Sequence, residues 1–286
     1  MIQWYYLTLI SSSLVGIASI LEKKVLKRAH ALSYSSITTI LIALLSFSFV
    51  PFLNLNIKPI YWVVLYAMGF TSAMSYWLTA RAYKHANISV STPILSTTPQ
   101  MLTVILGYLL LGEVLSYIQY AGIVILLSAT FLLVSHTIKP TTKKYAKKYP
   151  ATLVAIVFLM AIGSIMLKFV LSGVTIYTAL FLLEIFVAFN LFVILRHKHG
   201  NKNEIKRNLN KFWKPMLTIA ILAVLYRITY YAATAEAPIS LVFPLRNVVN
   251  IIMVVGFGGF IFHEKDIKKK IVLSAVMIVA AFMIII

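Results

Sequence analysis

Residues 86–113 read ANISVSTPILSTTPQMLTVILGYLLLGE, and residues 237–264 read APISLVFPLRNVVNIIMVVGFGGFIFHE. The two stretches align without a gap at an offset of 151 residues: Ala86 falls on Ala237, Ser89 on Ser240, Pro93 on Pro244 and Glu113 on Glu264. A weaker match at an offset of 145 sets SILEK (19–23) on SIMLK (164–168). A chain that repeats itself in this way uses one structural unit twice, so the nature of the unit decides the fold.

The unit is built for a bilayer. Of 286 residues, 61% are hydrophobic and 12% are charged, and the mean hydropathy is +0.93, well above the balance of a water-soluble domain. Uncharged stretches recur near 4–21, 32–53, 60–80, 88–111, 115–135, 151–168, 174–195, 215–235, 238–262 and 271–286. Each approaches the roughly 20 residues a helix needs to cross about 30 Å of hydrocarbon. The first has no charge ahead of Glu22 and EKKVLKR behind it, the reverse of a cleavable signal, so it is read as a retained helix. There is no cysteine, which excludes disulfides and thiolate chemistry.

The net charge of +19 would suggest nucleic acid in a soluble protein, but its placement argues for topology instead. With ten spans the loops sort to two sides. One side carries 22 of the 26 Lys and Arg: four within 22–31, two within 81–87, five within 136–150, seven within 196–214 and four within 263–270. The other side holds Lys58 and Lys168, and Arg227 and Arg246 fall inside spans. This is the positive-inside bias; it puts the basic loops in the cytoplasm of a plasma-membrane protein, both termini outside, and predicts no nucleic-acid partner.

Five helices is an odd number, so the second copy must be inverted relative to the first, and equivalent loops must exchange their basic residues. They do: four Lys and Arg in the first loop face none past Lys168 in its counterpart, and one in the second faces seven. The expected fold is therefore an all-α polytopic membrane protein of ten transmembrane helices, with repeat one over 1–138, a basic linker over 139–150 and an inverted repeat two over 151–286. Inverted repeats are the usual scaffold of alternating-access carriers, with substrate held near the midplane.

Two five-helix halves, LLLGE (109–113) and FHE (262–264) closing helices 4 and 9, and the entry LSYIQYAGIVIL that follows the first of these resemble the drug/metabolite transporter superfamily, specifically its ten-helix EamA-like members. The resemblance covers nearly the whole chain. It implies an exporter of small metabolites. Two features depart from the family pattern: Val15-Gly16 stands where a Trp-Gly is common, and the charge bias puts outside the termini that many members keep in the cytoplasm.

Three charges lie deep, and each costs about 2.5–3.5 kcal/mol on insertion scales. At 1.5 Å per residue, Arg246 is about 12 Å beyond Pro238, Glu184 about 15 Å beyond residue 174 and Arg227 about 13 Å before Glu236. All three are expected to face a shared interior between helices 7, 8 and 9. Glu184 paired with one arginine would only fix packing; but one carboxylate cannot neutralise two guanidiniums, and the surplus suggests a site for a carboxylate, phosphate or sulfonate. Asn247 and Asn250 lie beside and one turn beyond Arg246, and Tyr230 and Tyr231 one turn beyond Arg227. In repeat one Ser89, Thr92, Ser96, Gln100 and Thr103 form a polar stripe, with Gln100 its strongest site candidate; such groups also serve simply to bond helices together.

Pro93, Pro99 and Pro244 interrupt backbone bonding inside spans and suit bending or gating. Glu113 and Glu264, at helix ends on opposite faces, are read as structural or gating residues. Gly69, Ala73 and GFGG (256–259) permit close helix contact. No HExxH, GxSxG or P-loop is present and no histidine lies deep in a span, so the chain is read as no enzyme, with no cofactor and no metal site.

The expected function is secondary transport of small polar metabolites, amino-acid-like or anionic, by a monomer or homodimer in the lipid bilayer. Coupling is to protons through Glu184, or transport is simple exchange. Two other classes stay open: a flippase for a lipid-linked anionic headgroup, and a membrane scaffold that transports nothing.

Overall fold

The computed structural model describes residues 3–85, 88–135, 149–199, 202–253 and 267–286. Among them the chain is all-α. The helices are α1 (Trp4–Leu26), α2 (Ala31–Ser46, continued by a 3-10 segment over Phe47–Phe52), α3 (Pro59–His85), α4 (Ile88–Leu111), α5 (Tyr117–Ser135), α6 (Tyr149–Leu171), α7 (Ile176–His199), α8 (Lys202–Glu236), α9 (Ile239–Met253) and α10 (Ile267–Ile285). The described part of each expected span falls on one of them; residues 254–262 of the ninth lie outside the described residues. Arg81-Ala82 and the residues to His85 continue α3, the join to α4 at 86–87 lies outside the described residues, and Ala237-Pro238 separates α8 from α9.

Three departures from the sequence reading have local causes. The second span does not finish as an α-helix: Pro51 lies in its last turn, which tightens to 3-10 geometry. α1 runs on to Leu26, so Glu22 and Lys23 belong to the helix and not to a loop. The stretch 202–214, read as a basic loop, is helical; α8 has 35 residues, about 50 Å at 1.5 Å per residue, more than the hydrocarbon core requires. Its Lys-rich first third extends beyond the apolar part, which begins near Pro215.

Among the described residues five helical segments are long and apolar enough to cross a membrane: Trp4–Leu26, Ala31–Phe52, Ala151–Leu171, Ile176–His197 and Ile205–Glu236. Shorter apolar stretches cover Thr98–Leu111, Tyr117–Ala129 and Ala275–Ile285. α3 is long enough, but Ser72, Ser75, Tyr76 and Thr79 lower its hydropathy, and these residues point inward to a cavity. Outward, the bundle shows large apolar side chains such as Val63, Leu110, Phe131 and Phe282, which is what lipid contact favours.

Helices from the two ends of the chain interleave. α1 packs against α8 and α9, and α6 against α3 and α4; α2 lies on α7 and α8, and α7 on α2 and α3; α5 pairs with α10 and α4 with α9. Adding five to each helix number turns this set of pairs into itself. Small residues set the closest approaches: a Cβ at Gly69 of α3 would lie 2.4 Å from the Phe186 Cβ of α7, and one at Gly122 of α5 2.9 Å from the Ala280 carbonyl oxygen of α10. Ala73, one turn from Gly69, is fully buried. The GFGG segment lies outside the described residues.

Ends of helices that meet inside the bundle are capped by side chains from elsewhere in the chain. Lys23 of α1 donates to the Tyr83 carbonyl near the end of α3. Lys168, its counterpart in the SILEK/SIMLK match, donates to the Thr234 and Ala237 carbonyls at the end of α8, at 2.7 and 2.8 Å. Carbonyls in the last turn lack helical partners and carry the negative end of the dipole, so an ammonium is the matching cap. Gly112, with φ +67°, ends α4 in the left-handed region. That turn aims Glu113 at the start of α9, where its carboxylate accepts from the amides of Ile239 (2.8 Å) and Ser240 (3.0 Å) and from the Ser240 hydroxyl (2.5 Å).

Gly69→Leu is expected to lose about 1–3 kcal/mol of stability through overpacking against Phe186. Gly163→Ala, whose new methyl meets nothing within 4 Å, should melt no lower than the wild type. Thermal unfolding of the two variants in detergent checks this.

Candidate functional site

The deep polar residues meet in one cavity of about 250 Å³. α1 contributes Val15, Ser19 and Glu22; α3 contributes Met68, Ser72, Ser75, Tyr76, Thr79 and Tyr83; α6 contributes Met160, Gly163 and Ser164. α7 adds Leu183, Glu184 and Val187, α8 adds Tyr226, Arg227, Tyr230 and Tyr231, and α9 adds Phe243, Arg246 and Asn250. The volume lies just below the roughly 300–1,000 Å³ of small-molecule sites. Leu95 of α4 and Leu159 and Leu167 of α6 complete an apolar part of the wall.

Arg227 and Glu184 form an ion pair, with side chains only 6% and 1% exposed. The guanidinium also donates to the Tyr76 hydroxyl, which lies 3.3 Å from that of Tyr226. Its carbon stands 5.2 Å from the Tyr76 ring centroid and 5.8 Å from that of Tyr226. The packing role weighed for Glu184 is thus met by Arg227: a carboxylate, a phenol and two ring faces satisfy a charge that lipid would exclude.

Arg246 is held differently. Its guanidinium carbon lies 4.3 Å from the Tyr230 ring centroid and 5.3 Å from that of Tyr226. Among the described residues no carboxylate comes within ion-pairing distance of it. Tyrosine faces stabilise a cation by about 0.5–2 kcal/mol each without neutralising it, so the group stays able to take an anion. Its backbone is fixed by α1: the Ser12 hydroxyl donates to the Arg246 carbonyl and accepts from the Asn250 amide at 2.8 Å. Ser12 therefore joins the two ends of one helical turn and ties the arginine's position to α1.

Glu22 was not among the expected site residues, and it changes the charge balance. It lines the same cavity, which therefore has two carboxylates against two guanidiniums rather than the expected surplus of positive charge. The sequence signal was present, since Glu22 is the lone acid in EKKVLKR, but it reads as loop until α1 is seen to continue to Leu26.

The remaining expected residues divide. Tyr230, Tyr231 and Asn250 line the cavity; Asn247 is in α9. Gln100 and Thr103 are buried in α4 but do not line the cavity, and Thr103 bonds the Pro99 carbonyl at 2.9 Å, the helix-bonding role open to the stripe. Pro93, Pro99 and Pro244 lie within α4 and α9. Glu113 caps α9, away from the cavity, and Glu264 lies outside the described residues.

Residues 2–135 match the model of the EamA-like transporter family. A solved crystal structure resembles the chain along 96% of both lengths, with a TM-score of 0.65 at 12% identity; that likeness is one of fold. No curated protein matches the sequence. Proteins of the EamA family are transporters of small molecules, not enzymes, and act in the membrane.

Glu184→Gln should cost about 3 kcal/mol or more by leaving Arg227 unpaired, and Glu184→Gln combined with Arg227→Gln should recover much of that loss. A double-mutant cycle of melting temperatures measures it; additive losses contradict the pairing.

Proposed function

We propose that this chain, whose residues 2–135 are an EamA-like transporter domain, is a secondary carrier that exports small polar metabolites bearing a carboxylate or phosphate. In this reading ten helices cross the membrane as two inverted repeats, 1–138 and 151–286, with the basic linker 139–150 and the other basic loops on the cytoplasmic side. The repeats rock against each other and expose the cavity to each side in turn.

The observation that carries the proposal is Arg246, a cation held over the cavity by two tyrosine rings with no carboxylate among the described residues to neutralise it. A forked guanidinium in a low-dielectric cavity binds carboxylate or phosphate in two-point geometry. Two further observations support the carrier. The helix pairs map onto themselves under the shift by five. The cavity wall also brings equivalent positions together: Val15 with Met160, Ser19 with Ser164, and Leu95 with Arg246.

Alternation follows from how the wall is assembled. Arg227 and Glu184 tie α8 to α7, while Tyr76 ties α3 to α8 across the two repeats. Ser12 ties α1 to α9. Other polar bonds also join the repeats, among them Ser11 to the Tyr226 carbonyl, Ser36 to the Leu191 carbonyl and Glu113 to the start of α9, and a substrate that engages Arg246 pulls on α9 and, through Ser12, on α1.

Thermal stabilisation of purified wild type and Arg246→Gln by a panel of metabolites tests the reading. A ligand at 100 times its dissociation constant adds about 2.7 kcal/mol. Carboxylates or phosphates are expected to raise the wild-type melting temperature and leave Arg246→Gln unmoved. If nothing binds and the variant is only less stable, Arg246 is a packing residue and the scaffold reading takes over.

A further inference from the structure

We infer that the basic ends of α1 and α8 together form a docking surface for anionic phospholipids of the adjoining leaflet. The inference rests on these helices crossing a bilayer and is independent of what the cavity carries.

α8 is longer than a crossing requires, and its first third has three distinct sides. Ile205 and Phe212 pack on the cluster that holds Val25, Leu26 and Ala29, and Asn208 between them is buried. Leu209 and Trp213, one turn apart, are 42% and 49% exposed. Lys206, Arg207, Lys211 and Lys214 are exposed around the rest of the circumference. The Lys214 Nζ stands 5.7 Å from the Trp213 ring centroid, so ammonium and indole are presented together. The stretch 202–214 has five basic residues and one acid, Glu204.

α1 brings more charge of the same sign to the same level. The Ser11 hydroxyl donates to the Tyr226 carbonyl at 2.7 Å, while the far end of α1 meets the first third of α8, so the two helices run antiparallel. Counted away from that bond in opposite directions, Lys24 falls level with Trp213 and Leu26 with Lys211, about 20 Å along at 1.5 Å per residue. Lys24, Lys27 and Arg28 are exposed there. Their neighbours are turned inward: Glu22 lines the cavity and Lys23 donates to the Tyr83 carbonyl.

Like charges gathered at one level on two packed helices repel one another, and an anion that bridges the helices removes the repulsion. The level also fixes what the anion is attached to. The apolar part of α8 begins near Pro215, within one turn of Lys211 and Lys214, so the bridging group sits at the edge of the hydrocarbon. Basic segments at that edge attract anionic headgroups, and indole favours the same depth. A phospholipid brings its phosphate to the lysines and arginines and its glycerol and chains to Trp213 and Leu209. A nucleic acid or a free phosphate would use the cations and leave the two apolar groups unmatched.

The full-length protein in a neutral detergent is titrated with dioleoylphosphatidylglycerol, dioleoylphosphatidylcholine, glycerol 3-phosphate and a single-stranded oligonucleotide. The concentration giving half-maximal thermal stabilisation is read for the wild type and for three variants. One is Lys24→Gln/Arg28→Gln/Lys211→Gln/Lys214→Gln; the second keeps the charges, as Lys24→Arg/Arg28→Lys/Lys211→Arg/Lys214→Arg; the third is Lys58→Gln, at the opposite end of α3 from the Lys23 contact. The wild type is expected to prefer phosphatidylglycerol to phosphatidylcholine by about tenfold or more, less so at high salt. The neutralised variant should fall to about twofold or less while melting near the wild type in detergent alone, since the altered groups are exposed. The charge-keeping variant and Lys58→Gln should keep the preference. In a protein whose Trp4, Trp62 and Trp77 are replaced by Phe, brominated phosphatidylglycerol should quench Trp213 more strongly than brominated phosphatidylcholine; this readout decides the matter if the neutralised variant does not fold. Equal binding of the two lipids, or a preference that survives neutralisation, overturns the docking surface. Glycerol 3-phosphate or the oligonucleotide binding as tightly as phosphatidylglycerol overturns its assignment to lipid. If the lipid preference is found and no metabolite binds, the inference stands and the carrier reading falls alone.

Discussion

Burying a guanidinium among helices in a membrane governs much of this architecture. Arg227 cannot face lipid without a cost of several kcal/mol, so its helix must turn it inward, and what meets it there must supply charge and hydrogen-bond acceptors together. Glu184 supplies the first, the Tyr76 hydroxyl the second, and the Tyr76 and Tyr226 rings fill the remaining space. Three helices are thereby fixed in rotation as well as in position: α7, α8 and α3 can each present only one face to the centre. The second guanidinium, Arg246, stands against the same tyrosine cluster, and the cavity is the space these polar faces enclose.

The same demand for satisfied polar groups explains the helix ends. A helix terminus inside a bundle leaves amides or carbonyls without partners, and this chain meets the need with long-range caps. Lys23 caps α3, Lys168 caps α8 and Glu113 caps α9. Each cap comes from a helix or turn that is distant in sequence, and each carries the charge that its terminus favours. Lys23 and Lys168, which as letters in a loop look like topology signals, are structural ammoniums at matching positions of SILEK and SIMLK.

The sequence carried the periodic and the repeated features well. Helix positions followed from the length of uncharged stretches, and Ala86 on Ala237 through Glu113 on Glu264 pointed to a duplication, because both signals are local or linear. Arg227, Arg246, Glu184, Tyr230, Tyr231 and Asn250 were legible as a group, since charge deep in an apolar run admits few explanations. What was hidden depends on tertiary placement. Glu22 looked like the start of a loop because helix ends are blurred where charge begins, yet α1 continues for one more turn and brings it to the cavity. Gln100 looked central by depth along α4, but depth does not give azimuth, and its face of the helix does not reach the cavity. Tyr76 escaped notice because an uncharged tyrosine in an apolar helix is unremarkable until Arg227 is placed beside it.

The central claim, that one cavity is reached from each side of the membrane in turn, can be tested directly because the chain has no cysteine. Ser164→Cys puts a single thiol in the cavity wall. Its rate of reaction with a membrane-impermeant maleimide would be measured in sealed vesicles, with reagent added first to one side and then to the other. The account predicts labelling from both sides, slowed in each case by a bound ligand. Labelling from one side alone would contradict alternating access and make the cavity a static feature of the bundle.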